Sequence, residues 1–266
     1  MKIAIEIDGK ELLVEKGTIL LHAARRAGAV IPTLCYHEAL KTHRPCRLCL
    51  VEVVKEGKAR MVTSCVYPLL NEGEKITTDS TAVREARREV METLLARCPG
   101  SEQVHELALS MGIPAALART APAAPVTAKA DPLVDCILCG LCVRACNEAI
   151  GAGAIAFAEK GSNGKPASPF KVEASACIGC GACVAVCPTG VNSLEEDGDG
   201  LRSLPFFGIE VPMRRCEACG TSIGSEAQLR GINEKVDSVS DRLTLCPACR
   251  RKDFGRKLSR MEAVAT

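Results

Sequence analysis

The placement of the cysteines constrains this chain most, because 16 of its 17 cysteines fall into four spaced sets. The first set is Cys35, Cys46, Cys49 and Cys65, and the second is Cys136, Cys139, Cys142 and Cys146. The third is Cys177, Cys180, Cys183 and Cys187, the fourth is Cys216, Cys219, Cys246 and Cys249, and Cys98 stands alone. Thiolate is a soft ligand that selects zinc, copper(I) and iron–sulfur clusters. The pattern therefore predicts four metal sites.

A disulfide framework is the competing interpretation of so many cysteines, but it belongs to short secreted chains. This chain has 266 residues and an odd number of cysteines, and its start alternates apolar and polar residues like a strand. It shows no basic segment followed by an apolar run, as a signal peptide would. No run approaches the roughly 18 apolar residues of a membrane span. We therefore expect a soluble protein of a reducing cytoplasm, without a membrane span.

The composition limits how the chain can be stabilised and what it can bind. Aromatic residues make up 3% and tryptophan is absent, which leaves little for ordinary cores. Metal sites can replace that energy, because metal binding becomes folding free energy when the unfolded chain lacks the site. The formal charge of +2 counts the cysteines as neutral. Three oxidised four-thiolate clusters, each about −2, would bring the charge to about −4. Charge thus gives no support to a nucleic-acid partner.

The first 80 residues are predicted to form a small sheet domain. A strand over 2–7 and another over 11–15 flank a turn at Gly9-Lys10, which is typical of a hairpin. A helix over 19–27, capped by Thr18, and two more strands, over 48–54 and 60–65, follow in sequence. The first cysteine set lies in the loops of this domain, with the spacing C-x10-C-x2-C-x15-C. Plant-type ferredoxins use the different spacing C-x4-C-x2-C for their two-iron cluster.

This spacing within a β-grasp pattern resembles the amino-terminal domain of the large iron–sulfur subunit of bacterial complex I. It is equally similar to the small diaphorase subunit of NAD-linked hydrogenases. The resemblance implies a [2Fe–2S] cluster held by Cys35, Cys46, Cys49 and Cys65. A zinc site or unligated thiols is the alternative, which the spacing disfavours because zinc sites usually show paired C-x2-4-C knuckles. His37 and His43 are expected at the loop surface or as hydrogen-bond donors behind the ligands.

One feature of that family is broken in this chain. The family continues with a helix and then H-x3-C-x2-C-x5-C, which binds a [4Fe–4S] cluster. A helix is predicted here over 81–97, but the four ligand positions then hold Cys98, Glu102, His105 and Met111. We expect residues 81–112 to be a helical remnant that has lost the cluster, with a second helix over 101–111 bearing a partly exposed His105. Cys98 is then a lone buried residue rather than a ligand or redox switch.

An Ala/Pro-rich linker over 113–130 precedes the strongest motif of the chain, in a domain predicted over 131–198. The run C-x2-C-x2-C-x3-C occurs twice, in the second and third cysteine sets. It matches bacterial two-cluster ferredoxins, in which the fourth cysteine of each run ligates the other cluster. The match implies one [4Fe–4S] cluster on Cys136, Cys139, Cys142 and Cys187. It implies a second on Cys177, Cys180, Cys183 and Cys146.

Residues between and within the two runs extend the resemblance. Gly140, Gly179 and Gly181 suit loops whose backbone must approach a cluster. The segments Ala154–Phe157 and Gly161–Lys165 are similar to the strand and loop that separate the runs in the complex I and hydrogenase relatives. The resemblance covers roughly residues 1–195 and suggests a chain of three clusters.

The tail, predicted as a four-cysteine ribbon over 211–266, carries the fourth set as two C-x2-C knuckles separated by 26 residues. Such knuckles are typical of a zinc ribbon, and four thiolates would close a tetrahedral structural site. A further [4Fe–4S] cluster or a single iron also accepts four thiolates, so the spacing leaves them open. Basic residues that include Arg250 and Arg251 make this end a solvated face or a docking surface for an acidic partner. The whole chain is thus predicted to be α+β: a β-grasp [2Fe–2S] domain, a two-cluster ferredoxin domain and a small zinc-ribbon-like module.

The motifs that are missing direct the functional prediction. The chain has no G-x-G-x-x-G after a strand and no P-loop, so FMN and NAD(P) are expected on a partner subunit. No catalytic residues stand out, and enzymatic activity of this chain alone stays uncertain. The resemblance implies an electron-transfer subunit of a cytoplasmic NAD(P)H-linked oxidoreductase, which relays electrons between a flavoprotein and a second redox subunit. A freestanding multi-cluster ferredoxin and a redox-sensing interaction protein are the alternatives.

Overall fold

The computed structural model describes residues 1–42, 46–55, 57–114, 134–158, 170–198, 200–235 and 243–264. They form two compact units. The first comprises Met1–Ala149 with Val186–Val191, and the second comprises Ile150–Ala185 with Asn192–Thr266. The predicted linker from residue 115 onward, the predicted loop Gly161–Lys165 and His43 lie outside the described residues.

A five-stranded mixed sheet forms the centre of the first unit. Its strands are β1 (Lys2–Ile7), β2 (Lys10–Glu15), β3 (Leu50–Lys55), β4 (Lys58–Thr63) and β5 (Lys75–Thr77), in the order β2-β1-β5-β3-β4. The pair β1–β5 is parallel and the other pairs are antiparallel. Ile3, Ile5 and Ile7 of β1 are all buried, because side chains two residues apart share one face of a strand. This is the β-grasp arrangement, and the four strands predicted from the sequence are confirmed.

Helix α1 (Leu20–Arg26) packs on that sheet through Leu20 and Leu21, which are fully buried. The predicted cap at Thr18 is wrong. Ile19 occupies the N-cap position, while the Thr18 hydroxyl donates to the Glu15 carbonyl at 2.7 Å. That bond closes the turn after β2, so the threonine serves the strand end instead of the helix.

Helices α2 (Thr81–Arg97) and α3 (Glu102–Ser110) follow the sheet, and both were predicted. Each begins at a serine whose hydroxyl accepts a backbone N–H of the first turn, Ser80 from Val83 at 3.2 Å and Ser101 from Val104 at 3.3 Å. Such caps satisfy an otherwise unpaired helix donor. The first unit then continues with α4 (Leu141–Arg144), which runs into a π-helical turn over Ala145–Ile150.

The second unit contains two small sheets. Strands β6 (Ile155–Phe157) and β7 (Phe170–Val172) pair antiparallel and precede the short helix α5 (Ala182–Ala185). An antiparallel sheet in the order β11-β10-β9-β8 consists of β8 (Glu195–Glu196), β9 (Leu201–Leu204), β10 (Ile209–Arg215) and β11 (Ser222–Ser225). Helices α6 (Glu226–Lys235) and α7 (Pro247–Val264) complete the chain. None of the described helices is both long enough and apolar enough to cross a bilayer.

Arg87 joins α2 to the sheet at the point where the chain leaves the first cysteine set. Its side chain is buried, and Nε and Nη2 donate to the Leu50 carbonyl at 3.0 and 2.6 Å. Burial lowers the pKa of Arg87, but an arginine stays charged at neutral pH. The guanidinium therefore fixes the carbonyl of the residue that directly follows Cys49.

We expect Arg87→Met to destabilise the protein by about 2 kcal/mol, because a hydrogen bond from a charged group contributes roughly 1.5–3 kcal/mol. Arg88→Met is the matched control: Arg88 forms only an exposed pair with Glu92, worth about 0.3–0.5 kcal/mol. Anaerobic chemical denaturation of the full chain measures both. Equal denaturation midpoints for the two variants would contradict the role of Arg87.

Candidate metal centres

The first cysteine set lies in two loops at one end of the β-grasp sheet. Cys35 follows α1, Cys46 and Cys49 precede β3, and Cys65 follows β4. All four are buried. The hydrogen bond from Cys35 lowers the pKa of Cys46 to about 6, and that from Cys65 lowers the pKa of Cys49 to about 7. The same two hydrogen bonds raise the pKa of their donors, Cys35 and Cys65.

The backbone around this set also favours sulfur in the thiolate form. The N–H groups of Leu48 and Leu34 bond to Cys46, and they add to the lowering of its pKa. Arg47 has a φ of 54°, a left-handed conformation that costs a non-glycine residue about 1–2 kcal/mol. Deprotonated sulfur is the metal ligand, so these residues fit a thiolate-bound centre.

The residues of the first predicted [4Fe–4S] site come from two distant parts of the chain, both in the first unit. Cys136, Cys139 and Cys142 are buried around the start of α4, and Cys187 belongs to the same unit. Burial and the charges of neighbouring thiols, Cys136 and Cys187 among them, raise the pKa of Cys139 to about 11 and that of Cys142 to about 12. The assignment of these four residues to the first predicted [4Fe–4S] site stays a prediction.

The third set is described within the second unit by Cys177, Cys180 and Cys183, at the start of α5. Arg202 donates from Nη1 to the Gly179 carbonyl at 2.7 Å, and Asn192 donates to the Cys183 carbonyl at 3.1 Å. Cys146 is a buried residue of the first unit. The assignment of the second predicted [4Fe–4S] site stays a prediction.

The two ferredoxin runs share a left-handed backbone at equivalent positions. Gly140 and Gly181, which follow the second cysteine of each run, have φ values of 70° and 74°. Gly179 precedes that cysteine with φ 63°, and Leu138 does so with φ 53°. The Leu138 N–H donates to Cys136 Sγ at 3.4 Å. The left-handed conformation of Leu138 was not predicted from the sequence. Aligning the two cysteine runs reveals that Leu138 occupies the position that Gly179 has in the other run.

The fourth set brings its four sulfur atoms close together. The four Sγ atoms of Cys216, Cys219, Cys246 and Cys249 all lie within 4.8 Å of one another. Cys219 Sγ and Cys246 Sγ are 3.7 Å apart, and the Cys246 N–H donates to Cys216 Sγ at 3.2 Å. That N–H lowers the pKa of Cys216 to about 6. Among the described residues, no other group of cysteine, histidine or acidic residues is this compact.

The positions of the family's additional cluster are not brought together. Cys98 is fully buried at the end of α2, and burial raises its pKa to about 12. His105 is half-buried, and its Nε2 lies 3.0 Å from the Pro99 carbonyl. Glu102 is exposed. Within the described part of the chain, Cys98 belongs to no group of three potential metal ligands.

Residues at the end of α2 and the start of α3 contact Cys136 and residues close to Cys136 and Cys187. The sequence analysis did not predict these contacts. Arg97 Nε donates to the Cys136 carbonyl at 2.7 Å, and the Ser101 hydroxyl donates to the Thr189 carbonyl at 2.8 Å. Asp135 accepts the Gly100 N–H at 2.8 Å. These bonds span 35 to 88 residues of sequence, so no local motif signals them.

Family models match most of the chain. A 2Fe-2S iron-sulfur cluster binding domain matches residues 1–81, and models of a 4Fe-4S dicluster domain match residues 135–191 and 169–223. The ferredoxin-type α+β fold is therefore confirmed, as are the [2Fe–2S] and [4Fe–4S] binding domains.

Relatives extend over nearly the whole chain. It is 30% identical over 259 residues to the NADPH-Fe(3+) oxidoreductase subunit alpha of Geobacter sulfurreducens, covering 90% of the chain and 29% of the relative. It is 30% identical over 250 residues to the mitochondrial NADH dehydrogenase (ubiquinone) iron-sulfur protein 1 of Solanum tuberosum, covering 89% of the chain and 32% of the relative. A crystal structure of an NAD+-reducing [NiFe]-hydrogenase matches with 30% identity and a TM-score of 0.47, over 60% of this chain and 71% of that one.

The chain thus spans about 30% of the length of the curated relatives that it matches. By their names, the Geobacter and Solanum relatives are subunits of NADPH- and NADH-linked oxidoreductases, as the sequence resemblance implied. The chain is thus homologous over about 90% of its length to subunits of NAD(P)H-linked oxidoreductases, complex I among them, and it carries 2Fe-2S and 4Fe-4S cluster binding domains.

Proposed function

We propose that this chain is an electron-transfer subunit of an NAD(P)H-linked oxidoreductase, with three iron–sulfur clusters and one structural zinc. The observation that carries the proposal is the presence of two buried cysteine sets, one of each ferredoxin type, within one compact unit. Family membership supports it, because the relatives named above are oxidoreductase subunits linked to NADH or NADPH.

The cluster assignments follow the cysteine sets. The [2Fe–2S] cluster would be held by Cys35, Cys46, Cys49 and Cys65. One [4Fe–4S] cluster would be held by Cys136, Cys139, Cys142 and Cys187, and the other by Cys177, Cys180, Cys183 and Cys146. When bound, each of these clusters accepts and releases single electrons. The chain's own contribution is to bury the thiolates, donate N–H bonds to sulfur and place charge beside them, which together set reduction potentials.

A partner that binds FMN and NAD(P)H would supply the electrons, and a second redox subunit would receive them. The name of the hydrogenase relative, NAD+-reducing, implies flow in the reverse direction in that protein. This division of labour is supported by the sequence, which has no nucleotide-binding motif of the Rossmann or P-loop type.

Electron paramagnetic resonance on the natively purified assembly, before and after anaerobic addition of NADH, tests the function. We expect signals of a reduced [2Fe–2S] centre and of interacting [4Fe–4S] centres, because a bound flavoprotein would pass electrons to this chain. Dithionite reduction is the control for cluster content. Signals that develop with dithionite but with neither NADH nor NADPH would contradict the proposed electron source and favour a freestanding ferredoxin.

The fourth set is proposed to bind zinc because of the separation of its sulfur atoms. A zinc–sulfur distance of about 2.3 Å in a tetrahedron places neighbouring sulfur atoms about 3.8 Å apart. The observed 3.7 Å between Cys219 and Cys246 agrees with a single ion. A four-iron cluster binds each thiolate to a different iron and would hold them farther apart.

We expect one zinc per chain, and Cys246→Ser should abolish zinc binding while leaving iron unchanged, because the fourth set shares no residue with the clusters. Metal analysis of both proteins measures this, with Cys139→Ser as the reciprocal variant that loses iron and keeps zinc. Loss of iron in Cys246→Ser would favour a further iron site in the ribbon instead.

Cys98 is proposed to bind no metal. Because burial raises the pKa of its thiol and Cys98 belongs to no compact group of potential ligands among the described residues, Cys98→Ala should leave the iron content and the resonance spectra at the wild-type level. The measurement is iron per chain under anaerobic purification. A reproducible loss of iron in this variant would show that part of the family's additional cluster persists.

A further inference from the structure

Arg144 lies between the loops of the first two cysteine sets. It is the last residue of α4, two residues after Cys142. Its Nη2 lies 3.1 Å from the Cys35 carbonyl and 3.4 Å from the Cys139 carbonyl, and its Nη1 donates to the Lys41 carbonyl. One guanidinium therefore donates to a residue of the [2Fe–2S] loop, to a residue of the first [4Fe–4S] loop and to the segment after Cys35.

A second contact of the same helical segment holds that loop from its other side. Glu148 lies four residues after Arg144, and its carboxylate accepts the Lys41 N–H at 2.9 Å. The C=O and the N–H of Lys41 are thus both bonded to one helical turn. This fixes the Cys35 loop against α4 through two bonds separated by more than 100 residues of sequence.

The charge of Arg144 lies close to a ligand loop as well. Arg144 Nη2 lies 3.4 Å from the Cys139 carbonyl, so the positive charge of the guanidinium lies beside that loop. The guanidinium stays charged at any ordinary pH. Glu148 is exposed, so solvent screens its opposite charge.

The geometry of the Arg144 side chain also carries a free-energy cost, which indicates a role beyond folding. Arg144 Nε is buried, and no hydrogen-bond partner for it lies among the described residues. A buried donor without a partner costs about 1–3 kcal/mol, so each such group in a structure calls for an explanation. The geometry that leaves Nε unpaired is the one that directs both Nη atoms to the two cluster loops.

We propose that Arg144 is a positioning residue that joins the [2Fe–2S] loop to the first [4Fe–4S] loop and stabilises the reduced form of both centres. This inference rests on the proposed function. Reduction adds one negative charge to a centre, and a fixed positive charge beside both loops favours that state at each. Transfer between them moves one electron, oxidising one centre and reducing the other, without proton movement or bond change. Because tunnelling slows exponentially with distance, a rigid link between the two loops preserves the rate.

The test uses the full chain with its clusters, reconstituted or natively loaded, in redox titrations followed by electron paramagnetic resonance. Arg144→Gln removes the charge and the fork of donors. Arg144→Lys keeps the charge but donates from a single point, so it cannot hold all three carbonyls. The matched control is Arg84→Gln, because Arg84 is an exposed residue of α2 that pairs with Asp79.

For Arg144→Gln we expect the ratio of reduced to oxidised centre at a fixed potential to fall about tenfold at both centres, which equals about 59 mV for a one-electron couple. The magnetic interaction between the two reduced centres should weaken. Arg144→Lys should keep potentials close to those of wild type and still weaken the interaction. This separates the effect of the charge from the effect of the link.

If Arg144 had a purely structural role, Arg144→Gln would change stability or cluster content without shifting the potentials of both centres. Arg144→Gln titrating like Arg84→Gln, or a shift confined to one of the two centres, overturns the inference. Failure of the proposed function is distinguishable, because the wild-type chain would then lack the [2Fe–2S] or [4Fe–4S] signals themselves. If Arg144→Gln does not fold, the Lys variant decides: unchanged interaction in a loaded protein overturns the link.

Discussion

The loops of the described structure must accommodate cysteine sulfur atoms that lie close to one another, as in the hydrogen-bonded pairs Cys35–Cys46 and Cys49–Cys65. Deprotonated thiolates repel one another, and burial increases that cost. The chain offsets it locally with N–H bonds to sulfur and, around three of the sets, with arginine side chains directed at backbone carbonyls. These bonds run from Arg87 to Leu50, from Arg97 to Cys136, from Arg144 to Cys35 and Cys139, and from Arg202 to Gly179. Each arginine both fixes a loop beside the ligands and brings a positive charge close to them.

The remnant of the family's additional cluster has become part of this support. Cys98 and His105 belong to no compact group of potential metal ligands among the described residues, and the segment from Arg97 to Gln103 contacts residues close to Cys136 and Cys187. Ser101 bonds to the Thr189 carbonyl, and the Gln103 side chain lies so close to Gly190 that an added Cβ there would be 2.7 Å from it. Gly190 also has a φ of 70°, so no other residue fits this position without strain. The segment that joins α2 to α3 is therefore held by contacts of its own.

Local periodicity and cysteine spacing made much of this predictable. The alternation of Ile3, Ile5 and Ile7 indicated β1, and the cysteine spacing, read through the family resemblance, indicated the iron–sulfur domains that the family models match. Strand β5 was not predicted, because three residues carry no periodic signal. The sheet β8–β11 was missed because β8 has two exposed residues and β9 has only four. The contacts of Arg144 join residues 103 to 109 positions apart, and a single sequence contains no record of such pairs.

The spacing of sulfur atoms distinguishes two kinds of site that sequence motifs describe in the same way. All four sets contain C-x2-C, yet only the fourth brings its four sulfur atoms within 4.8 Å, among the residues described. In the ribbon the Cys246 N–H donates to Cys216 Sγ of the other knuckle, and the Cys249 N–H donates to Cys246 Sγ within its own knuckle. In the first ferredoxin run, left-handed residues such as Leu138 and Gly140 turn the backbone between successive cysteines. Backbone conformation between the cysteines, which their spacing in the sequence does not reveal, thus affects how far apart the four sulfur atoms of a set lie.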